Sequence, residues 1–350
     1  VLEEVGTFKF LACMADFKGS LDVVRINGRS LSTLSDELRS NEEIVLAAVE
    51  QCGPALEFAS EAMRGNKSVV RAAVTQDEAS ISKNTTGSFR FASDALRGDK
   101  AFVIEAARLS SHVLKYASPA LQDDQDAVEV AVSFNKGFAL QFASERLQAV
   151  KAVVCAAVGC SGYALKHASA ELRDDPQVVR AAVRNNAMAL QFASERLKSD
   201  PETVLAAVTQ GFQALSYASA AVKANREVAL AAVKQNGRAL QLCAQELGGD
   251  PEIALAALEG CAFAFKFAAP ALQGNPDFLR KAVRVQPGVL NYVRDQKVVS
   301  QLRKQVESSP SGGQQGPPGA GAAARNGVGS GGGAERNNTR GNHRPEPYRW

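Results

Sequence analysis

The chain has 350 residues, with 40 lysines and arginines against 37 aspartates and glutamates and a formal net charge of +3. Five arginines and two glutamates follow residue 308, so the preceding part is neutral and offers no strong field to nucleic acid or to an anionic membrane. The six cysteines include no Cys-x-x-Cys spacing, which excludes the common zinc sites and disulfide frameworks. We expect reduced thiols, no metal or other cofactor, and a cytoplasmic location, with a nuclear one as the alternative.

Residues 1–30 are predicted to form a degenerate N-terminal repeat or cap. No signal peptide or transmembrane segment is visible in the sequence. The apolar stretch 254–272 is interrupted by Glu259 and Lys266 and follows the repeat described below, so we expect it in a soluble core. The chain begins with Val1 rather than Met, which leaves a fragment and a processed product both open.

A repeat of about 25 residues is predicted to occupy residues 31–305 in about ten units. Each unit has a reference residue, usually aromatic and usually followed by Ala-Ser, which we count as position 0. The period explains why "LQFASERL" occurs at 140–147 and again, two units later, at 190–197. The reference residues are Phe58, Phe91, Tyr116, Phe142, His167, Phe192, Tyr217, Leu242, Phe267 and Tyr292, with Thr33 in a degenerate earlier copy.

The apolar spacing predicts two short helices in each unit. Positions −3, −2, 0, +1 and +5 lie on one helical face, and positions +11, +12, +15 and +16 lie on another. Asp or Asn at position +8 is expected to cap the second helix, and Pro at position +9 suits its first turn. Val150 replaces this cap in one unit, so we expect the helix that begins near Lys151 to be the loosest.

Glycines that follow the second helix are expected to end it in the left-handed conformation. They are Gly53, Gly137, Gly162 and Gly237.

Helices of this length are marginal alone and gain stability by stacking on neighbouring units. Small residues at position +1 let the helices approach closely, while the reference aromatics are expected to fill the layer between units. The predicted fold is therefore all-α, an α-solenoid of stacked two-helix repeats. A turn-rich insertion is expected near residues 79–88. Residues 306–350 are rich in Gly, Pro, Asn and Ser, which predicts a disordered C-terminal tail.

The phrases "ALQFASERLKSDPETVLAAVTQ" and "ALKHASAELRDDPQVVRAAVRNN" resemble the repeats called domain of unknown function 4116. The resemblance covers roughly residues 30–295, and the unit of that family, about fifty residues, corresponds to two of the units here. The spacing of apolar residues along the repeat is also similar to that of leucine-rich-variant repeats. The resemblance implies a source among algae and other protists, and it implies no activity, ligand or catalytic residue.

Catalytic chemistry finds no support in the sequence. The three histidines are His112, His167 and His343, and none lies in a recognisable nucleophile or metal motif. His167 occupies a reference position, where a planar side chain that fills space is the simplest interpretation. We expect a protein that is not an enzyme and has no catalytic residue.

Two rows of cations suggest nucleic-acid binding as an alternative function. One row lies at position +6 and the other at position −1, and both are predicted to point away from the apolar face. Against this interpretation, a cation at a helix C-terminus is favoured without any ligand, and acidic residues are interleaved. The tail, with its separated arginines among Gly and Asn, weakly resembles Arg/Gly-rich RNA-binding segments. The candidate residues in these rows are Arg90, Lys115, Lys166, Lys198 and Lys223.

Position +13 holds leucine in three successive units, Leu205, Leu230 and Leu255. Four other units hold a charged residue at this position, namely Arg71, Glu129, Arg180 and Arg280. The leucines therefore form either an exposed apolar strip for a partner protein or a place where the buried face widens, and the covering of stacked helices on more than one side favours burial.

The sequence as a whole favours a non-catalytic scaffold that binds another protein or a peptide, with RNA binding as the alternative and no membrane partner. It does not indicate the identity of the partner or the oligomeric state.

Overall fold

The computed structural model describes residues 17–79, 87–110, 112–134 and 137–308. The regular elements of these residues are all helical and stack as successive units, so the predicted all-α solenoid is confirmed. Most of the predicted insertion (residues 80–86), the start of the predicted cap (1–16) and the predicted tail from residue 309 onward lie outside the described residues.

The second predicted helix of each unit is present as a regular α-helix, which we call the long helix. From Glu42–Gln51 to Pro276–Val285, each long helix packs against the long helix of the next unit. A preceding helix, 17–26, occupies the equivalent place before the Thr33 unit. The long helices are Glu42–Gln51, Lys67–Ala79, Lys100–Ala107, Gln125–Phe134, Lys151–Cys160, Pro176–Asn185, Pro201–Val208, Arg226–Gln235, Pro251–Gly260, Pro276–Val285 and the C-terminal Gln296–Ser308.

The first predicted helix is divided into two elements, which differs from the single helix expected. A short segment, usually a 3₁₀ helix, ends at the reference residue, and a one-turn helix follows it. In the His167 unit the break lies at Ala168, which is extended with φ −73° and ψ 154°. Ser169 is also extended, and its Oγ accepts a hydrogen bond from the Leu172 backbone N–H at 3.4 Å. The Ala-Ser pair thus ends one helix and caps the next.

The segments before the break stack on one another along the array. They are Gly28–Thr33, Gly53–Phe58, Ser88–Phe91, Phe138–Phe142, Gly162–His167, Ala187–Phe192, Phe212–Tyr217, Gly237–Leu242, Ala262–Phe267 and Pro287–Asn291, with a single α-turn, Val113–Tyr116, in the Tyr116 unit. The one-turn helices are Asp36–Arg39, Glu61–Arg64, Asp94–Arg97, Pro119–Gln122, Glu145–Gln148, Ala170–Arg173, Glu195–Lys198, Ala220–Lys223 and Pro270–Gln273, and the Leu242 unit has the 3₁₀ turn Gln245–Gly249 instead.

One backbone hydrogen bond recurs at the junctions between units. The N–H at position +2 donates to the carbonyl at position +6 of the preceding unit, as in Ser169 N to Gln148 O and Ser194 N to Arg173 O, at 2.9 and 3.0 Å. Ala244 and Ala269 make the same bond where Ser is absent. Because this bond needs no particular side chain, it sets the register of stacking for every sequence variant of the unit.

The predicted caps of the long helices are confirmed. The Asp175 carboxylate accepts from Gln177 N and Val178 N at 2.8 and 3.2 Å, and Asn225 does the same for its own helix. Val150 forms no side-chain cap hydrogen bond, as its chemistry requires.

The prediction for the glycines is correct at one position and wrong at three. Gly137 has φ +76° and is in the left-handed conformation. The other three begin 3₁₀ segments without a positive φ, and a Cβ there would lie 1.9 to 2.6 Å from a carbonyl oxygen of the long helix that follows in the same unit. Close approach of backbone to backbone, rather than a left-handed stop, is therefore the reason for glycine at Gly53, Gly162 and Gly237.

The core runs along the array between the long helices and the 3₁₀ segments. In the His167 unit the four predicted core positions of the long helix, Val178, Val179, Ala182 and Val183, are fully buried, together with Leu165 before the break. The reference residues from Phe58 to Tyr292 are only half-buried, and Thr33 is exposed, so they border the core rather than fill the layer between units.

Candidate binding surfaces

The three leucines at position +13 lie half-buried on the outer side of adjacent long helices. Leu230 and Leu255 pack against the core with one side, and each leucine is followed by a half-buried alanine. The same position carries charged side chains in other units, and those of Arg71 and Arg280 are 46% and 52% exposed. The position is therefore reached by solvent, and the leucines make an apolar row that is open on one side.

The cations at position +6 serve their own unit. Lys223 Nζ donates to the Ser216 carbonyl at 2.8 Å, and Lys198 pairs with Glu195 at 2.9 Å with its side chain only 17% exposed. In other units glutamine holds the same position, and Gln148 Nε2 donates to the carbonyls of Leu140 and Ala143 at 3.2 and 3.0 Å. Lys223 and Gln148 at position +6 therefore both donate to carbonyls at the end of the first half of their own unit, a structural role that Lys and Gln can each perform.

The cations at position −1 are exposed and lie over aromatic rings. The Arg90 guanidinium is 4.2 Å from the Phe91 ring centroid, and Lys115 Nζ is 5.0 Å from that of Tyr116. Lys266 Nζ lies 5.0 Å from the Phe263 ring and 5.3 Å from the Tyr292 ring of the next unit. Lys166 is also exposed. The structure thus separates the two predicted rows: Lys198 and Lys223 have internal partners, whereas Arg90, Lys115 and Lys166 lie on the surface.

A second row joins position −1 on the same surface. Side chains three residues apart are eclipsed in a 3₁₀ helix, so position −4 lies beside position −1. Tyr163 precedes Lys166 by three residues, and its ring packs edge-on against Phe192 of the next unit at 6.0 Å. We call positions −4 and −1 with the reference residues the 3₁₀ face.

Exposed aromatic side chains mark this face, and the sequence interpretation missed them. Phe138 is 50% exposed and Tyr163 is 39% exposed at position −4 of adjacent units. Phe134, 59% exposed, lies at the nearby end of a long helix, with the Arg108 guanidinium 5.5 Å from its ring centroid. Phe138, Tyr163 and Phe263 are separated by multiples of 25 residues, which is a signal in the sequence. The expectation of one continuous helix over the first half of the unit obscured this signal, because it does not predict a separate 3₁₀ segment with an exposed face.

Histidine and metal-ligating side chains are the groups that could form a common site in the described part of the chain. His167 is half-buried, and burial together with the neighbouring Lys166 charge lowers the pKa of its imidazole. No group of three or more His, Cys, Asp or Glu side chains there has the geometry of a metal site.

Two cavities lie near the ends of the array. One of about 480 Å³ is lined by Arg25, Glu43 and Leu46, and one of about 290 Å³ by Phe265, Leu279 and Val298.

None of the helices in the described ranges combines the length and the apolar character needed to cross a bilayer. The described cysteines Cys52, Cys155, Cys160, Cys243 and Cys261 are free, and burial raises the pKa of the Cys243 thiol to about 11. The cytoplasmic location stays a prediction.

Comparison with known families gives one result, a match to the model described as Domain of unknown function (DUF4116). It matches seven overlapping segments, which together cover more than half of the chain. The segments are 20–64, 41–82, 66–122, 151–198, 175–223, 200–248 and 225–273.

The chain belongs to this family. In its second half, successive DUF4116 matches begin at residues 151, 175, 200 and 225, one structural unit apart, and each spans two units. Neither the curated proteins nor the solved structures provide a match.

Proposed function

We propose that this DUF4116 chain is a non-catalytic scaffold that binds another protein, or a peptide of it, along its stacked units. The observation that carries the proposal is the leucine row: Leu205, Leu230 and Leu255 occupy, on three adjacent helices, a position that is charged in four other units and reached by solvent at Arg71 and Arg280. Aligned apolar side chains of this kind, rimmed by polar residues, are typical of protein-binding surfaces.

The residues around the leucine row support a specific docking site rather than nonspecific hydrophobic association. Glu202, Glu227 and Glu252 lie one helical turn before the leucines and are exposed. Arg180 pairs with Glu202 at 2.8 Å, and Arg226 pairs with Glu252. A polar rim around an apolar centre limits nonspecific association and fixes the register of a partner.

The test is capture of partners by the full chain and by a Leu205→Glu/Leu230→Glu/Leu255→Glu variant, with nuclease and at two salt concentrations. Glutamate is tolerated at position +13, since Glu129 holds it in another unit. The control variant is Ser68→Glu/Ala101→Glu/Ala152→Glu, which adds the same charge at exposed positions where Glu202, Glu227 and Glu252 stand in other units.

The proposal expects a protein that survives nuclease and salt, is retained by the control and is lost with the leucine variant. The captured protein, once purified, should bind the full chain at least tenfold more tightly than the folded leucine variant. Capture that the leucine variant retains, or that nuclease abolishes, contradicts the proposal.

A further inference from the structure

Acidic residues are segregated away from the 3₁₀ face. The chain has 37 acidic residues among 350, yet positions −4 to +1 contain none from the Phe91 unit to the Tyr292 unit. The segments concerned are 87–92, 112–117, 138–143, 163–168, 188–193, 213–218, 238–243, 263–268 and 288–293. Cations are not excluded in the same way, so the face is positive although the part of the chain that precedes the tail has no net charge.

The exposed cations of this face lack carboxylate partners in the ion pairs of the described residues. Arg90, Lys115, Lys166, Arg238 and Lys266 are exposed, and none of them lies within 4 Å of an acidic group there. The other charged rows of the array contrast with this, since cations at position +9 pair with the next unit. Charge without an internal partner is available to an anionic ligand.

Apolar contact area lies among these cations. Phe138 and Tyr163 are exposed in adjacent units, and the half-buried Phe263 contacts Lys266 and Tyr292. Each 3₁₀ segment packs on the next, so these cationic and aromatic side chains lie along one strip, in which the Phe192 and Tyr217 units contribute neither kind at positions −4 and −1. A ligand that fits it carries both negative charge and apolar groups.

The spacing of the charges favours a peptide over a nucleic acid. Between the cations, position −1 holds Gln141, Gln191 and Ser216, which donate to carbonyls of their own segments at 3.2, 3.1 and 2.7 Å. Nucleic acid carries a charge on every nucleotide and gains affinity from each one neutralised. Packed helices repeat about every 8–10 Å, roughly three residues of an extended peptide. Carboxylates and apolar side chains at such intervals match the strip.

We propose that the 3₁₀ face binds an acidic peptide segment in extended form, with aromatic or leucine side chains that contact Phe138 and Tyr163 and carboxylates that pair with Lys115 and Lys166. This inference rests on the proposed function only in that both partners are proteins. The leucine row and the 3₁₀ face lie on different elements. A variant of one surface therefore leaves the other surface unchanged, and the two proposals can fail separately.

The probe is a library of random 16-residue peptides displayed and selected against the full chain. Selected peptides are synthesised, labelled with a fluorophore and titrated by anisotropy, beside a labelled 20-nucleotide poly-uridine RNA. The variant is Lys115→Glu/Lys166→Glu. The control is Arg303→Glu/Lys304→Glu, which makes the same charge change at exposed positions of the C-terminal helix. Circular dichroism establishes that both remain folded.

Enrichment of acidic peptides with aromatic or leucine residues is expected, with at least tenfold weaker binding to the variant and unchanged binding to the control. A separate variant, Phe138→Ser/Tyr163→Ser, should lower the affinity for the same peptides severalfold relative to the unmodified chain. Selection that yields no acidic enrichment, or binders insensitive to the variant, overturns the proposal. RNA that binds more tightly than every selected peptide and is lost with the variant assigns the face to nucleic acid instead.

Discussion

At the scale of single residues, much of the unit's pattern answers a local hydrogen-bonding demand. Position +6 illustrates this: Gln273 Nε2 donates to the carbonyls of Phe265, Lys266 and Ala268, the role that Lys223 performs toward Ser216. The cations of this row therefore say little about a ligand. A residue type that repeats with the 25-residue period therefore indicates ligand binding only where no hydrogen bond or ion pair within its own unit explains it.

Gly137 offers a residue-scale test. Its φ of +76° is costly for any residue with a Cβ, and the added carbon would lie 2.4 Å from the Ala157 carbonyl oxygen. Gly137→Ala should lower the free energy of unfolding by about 2 kcal/mol or more. Gly159→Ala is the control, because that helical glycine has open space around it and alanine should stabilise it by about 0.5–1 kcal/mol. Urea denaturation measures the change in unfolding free energy for both variants. Equal changes would contradict the left-handed, closely packed conformation assigned to Gly137.

Val150 gives a second residue-scale prediction. Without a side-chain acceptor at the start of Lys151–Cys160, the first-turn amides, including Val153, should exchange with deuterium faster than those of Pro176–Asn185. Val150→Asn should slow that exchange, since a new cap contributes about 1 kcal/mol. Mass-resolved hydrogen exchange of peptides spanning the two helices is the measurement. Unchanged exchange after the substitution would show that neighbouring units already hold this turn.

At the scale of elements, charge pairs link each unit to the next. A cation at position +9 pairs with the Asp at position +8 of the following unit: Lys67 with Asp99, Lys100 with Asp124 and Lys151 with Asp175 at 2.6, 2.8 and 2.7 Å, and likewise Arg226 with Asp250 at 2.9 Å. Where position +9 is not a cation, the next cap is usually uncharged, as with Asn66 after Glu42 or Asn225 after Pro201. Asp200 is the exception, and Arg180 approaches it at 4.0 Å.

A second pair explains the duplicated octet. Arg146 Nε lies 3.0 Å from Asp123, and Arg196 Nε lies 3.0 Å from Asp174, each contact joining position +4 to position +7 of the preceding unit. The Ser144 and Ser194 hydroxyls donate to the same two carboxylates. The octet therefore recurs where the preceding unit offers an Asp at position +7, two units apart.

The element-scale prediction tests this linkage. Lys151→Glu should destabilise the array by about 1 kcal/mol, because it places a like charge beside Asp175. Adding Asp175→Asn should recover most of the loss, since Asn keeps the helix cap and removes the repulsion, as Asn66 does after Glu42. Thermal unfolding of the two single variants and the double variant gives the coupling. Simple additivity would show that the pair does not link the units.

At the scale of the whole molecule, these carboxylates make stability depend on pH. The Lys100 ammonium lowers the pKa of Asp124, the Lys151 ammonium lowers that of Asp175, and hydrogen bonds from Ser194 and then Arg196 lower that of Asp174. A carboxyl group whose pKa is lower in the folded chain stabilises it above its unfolded pKa, and this contribution disappears as pH falls through the folded pKa. The array should hold its stability at neutral pH and lose it below about pH 4.

Urea denaturation at a series of pH values measures that loss. A variant with Asp124→Asn and Asp175→Asn should show a shallower decline between about pH 4 and pH 2, because fewer groups take up protons on unfolding. Its caps remain, so its stability at pH 7 should fall only slightly. An equally steep acid loss in the variant would place the responsible groups elsewhere.

The sequence by itself determined the period, the fold class, the core positions of the long helices and their caps. Each of these depends on contacts within one unit or on a spacing repeated many times. Val178, Val179, Ala182 and Val183 could be assigned to the core from helical periodicity, and Asp175 to a cap from its place before Pro176.

Only the tertiary structure decided where the first half of the unit breaks and which repeated side chains face outward. The break at Ala168-Ser169 is held in part by the bond from Ser169 N to Gln148 O of the preceding unit, a contact that local spacing does not reveal. Gly162 is required by the approach of the Ala182 carbonyl, twenty residues further along the chain, rather than by its own dihedral angle. A pair with Glu195 within its own unit separates Lys198 from Lys166, and packing between units brings Tyr163 beside Phe192. These contacts define the surfaces from which function is proposed.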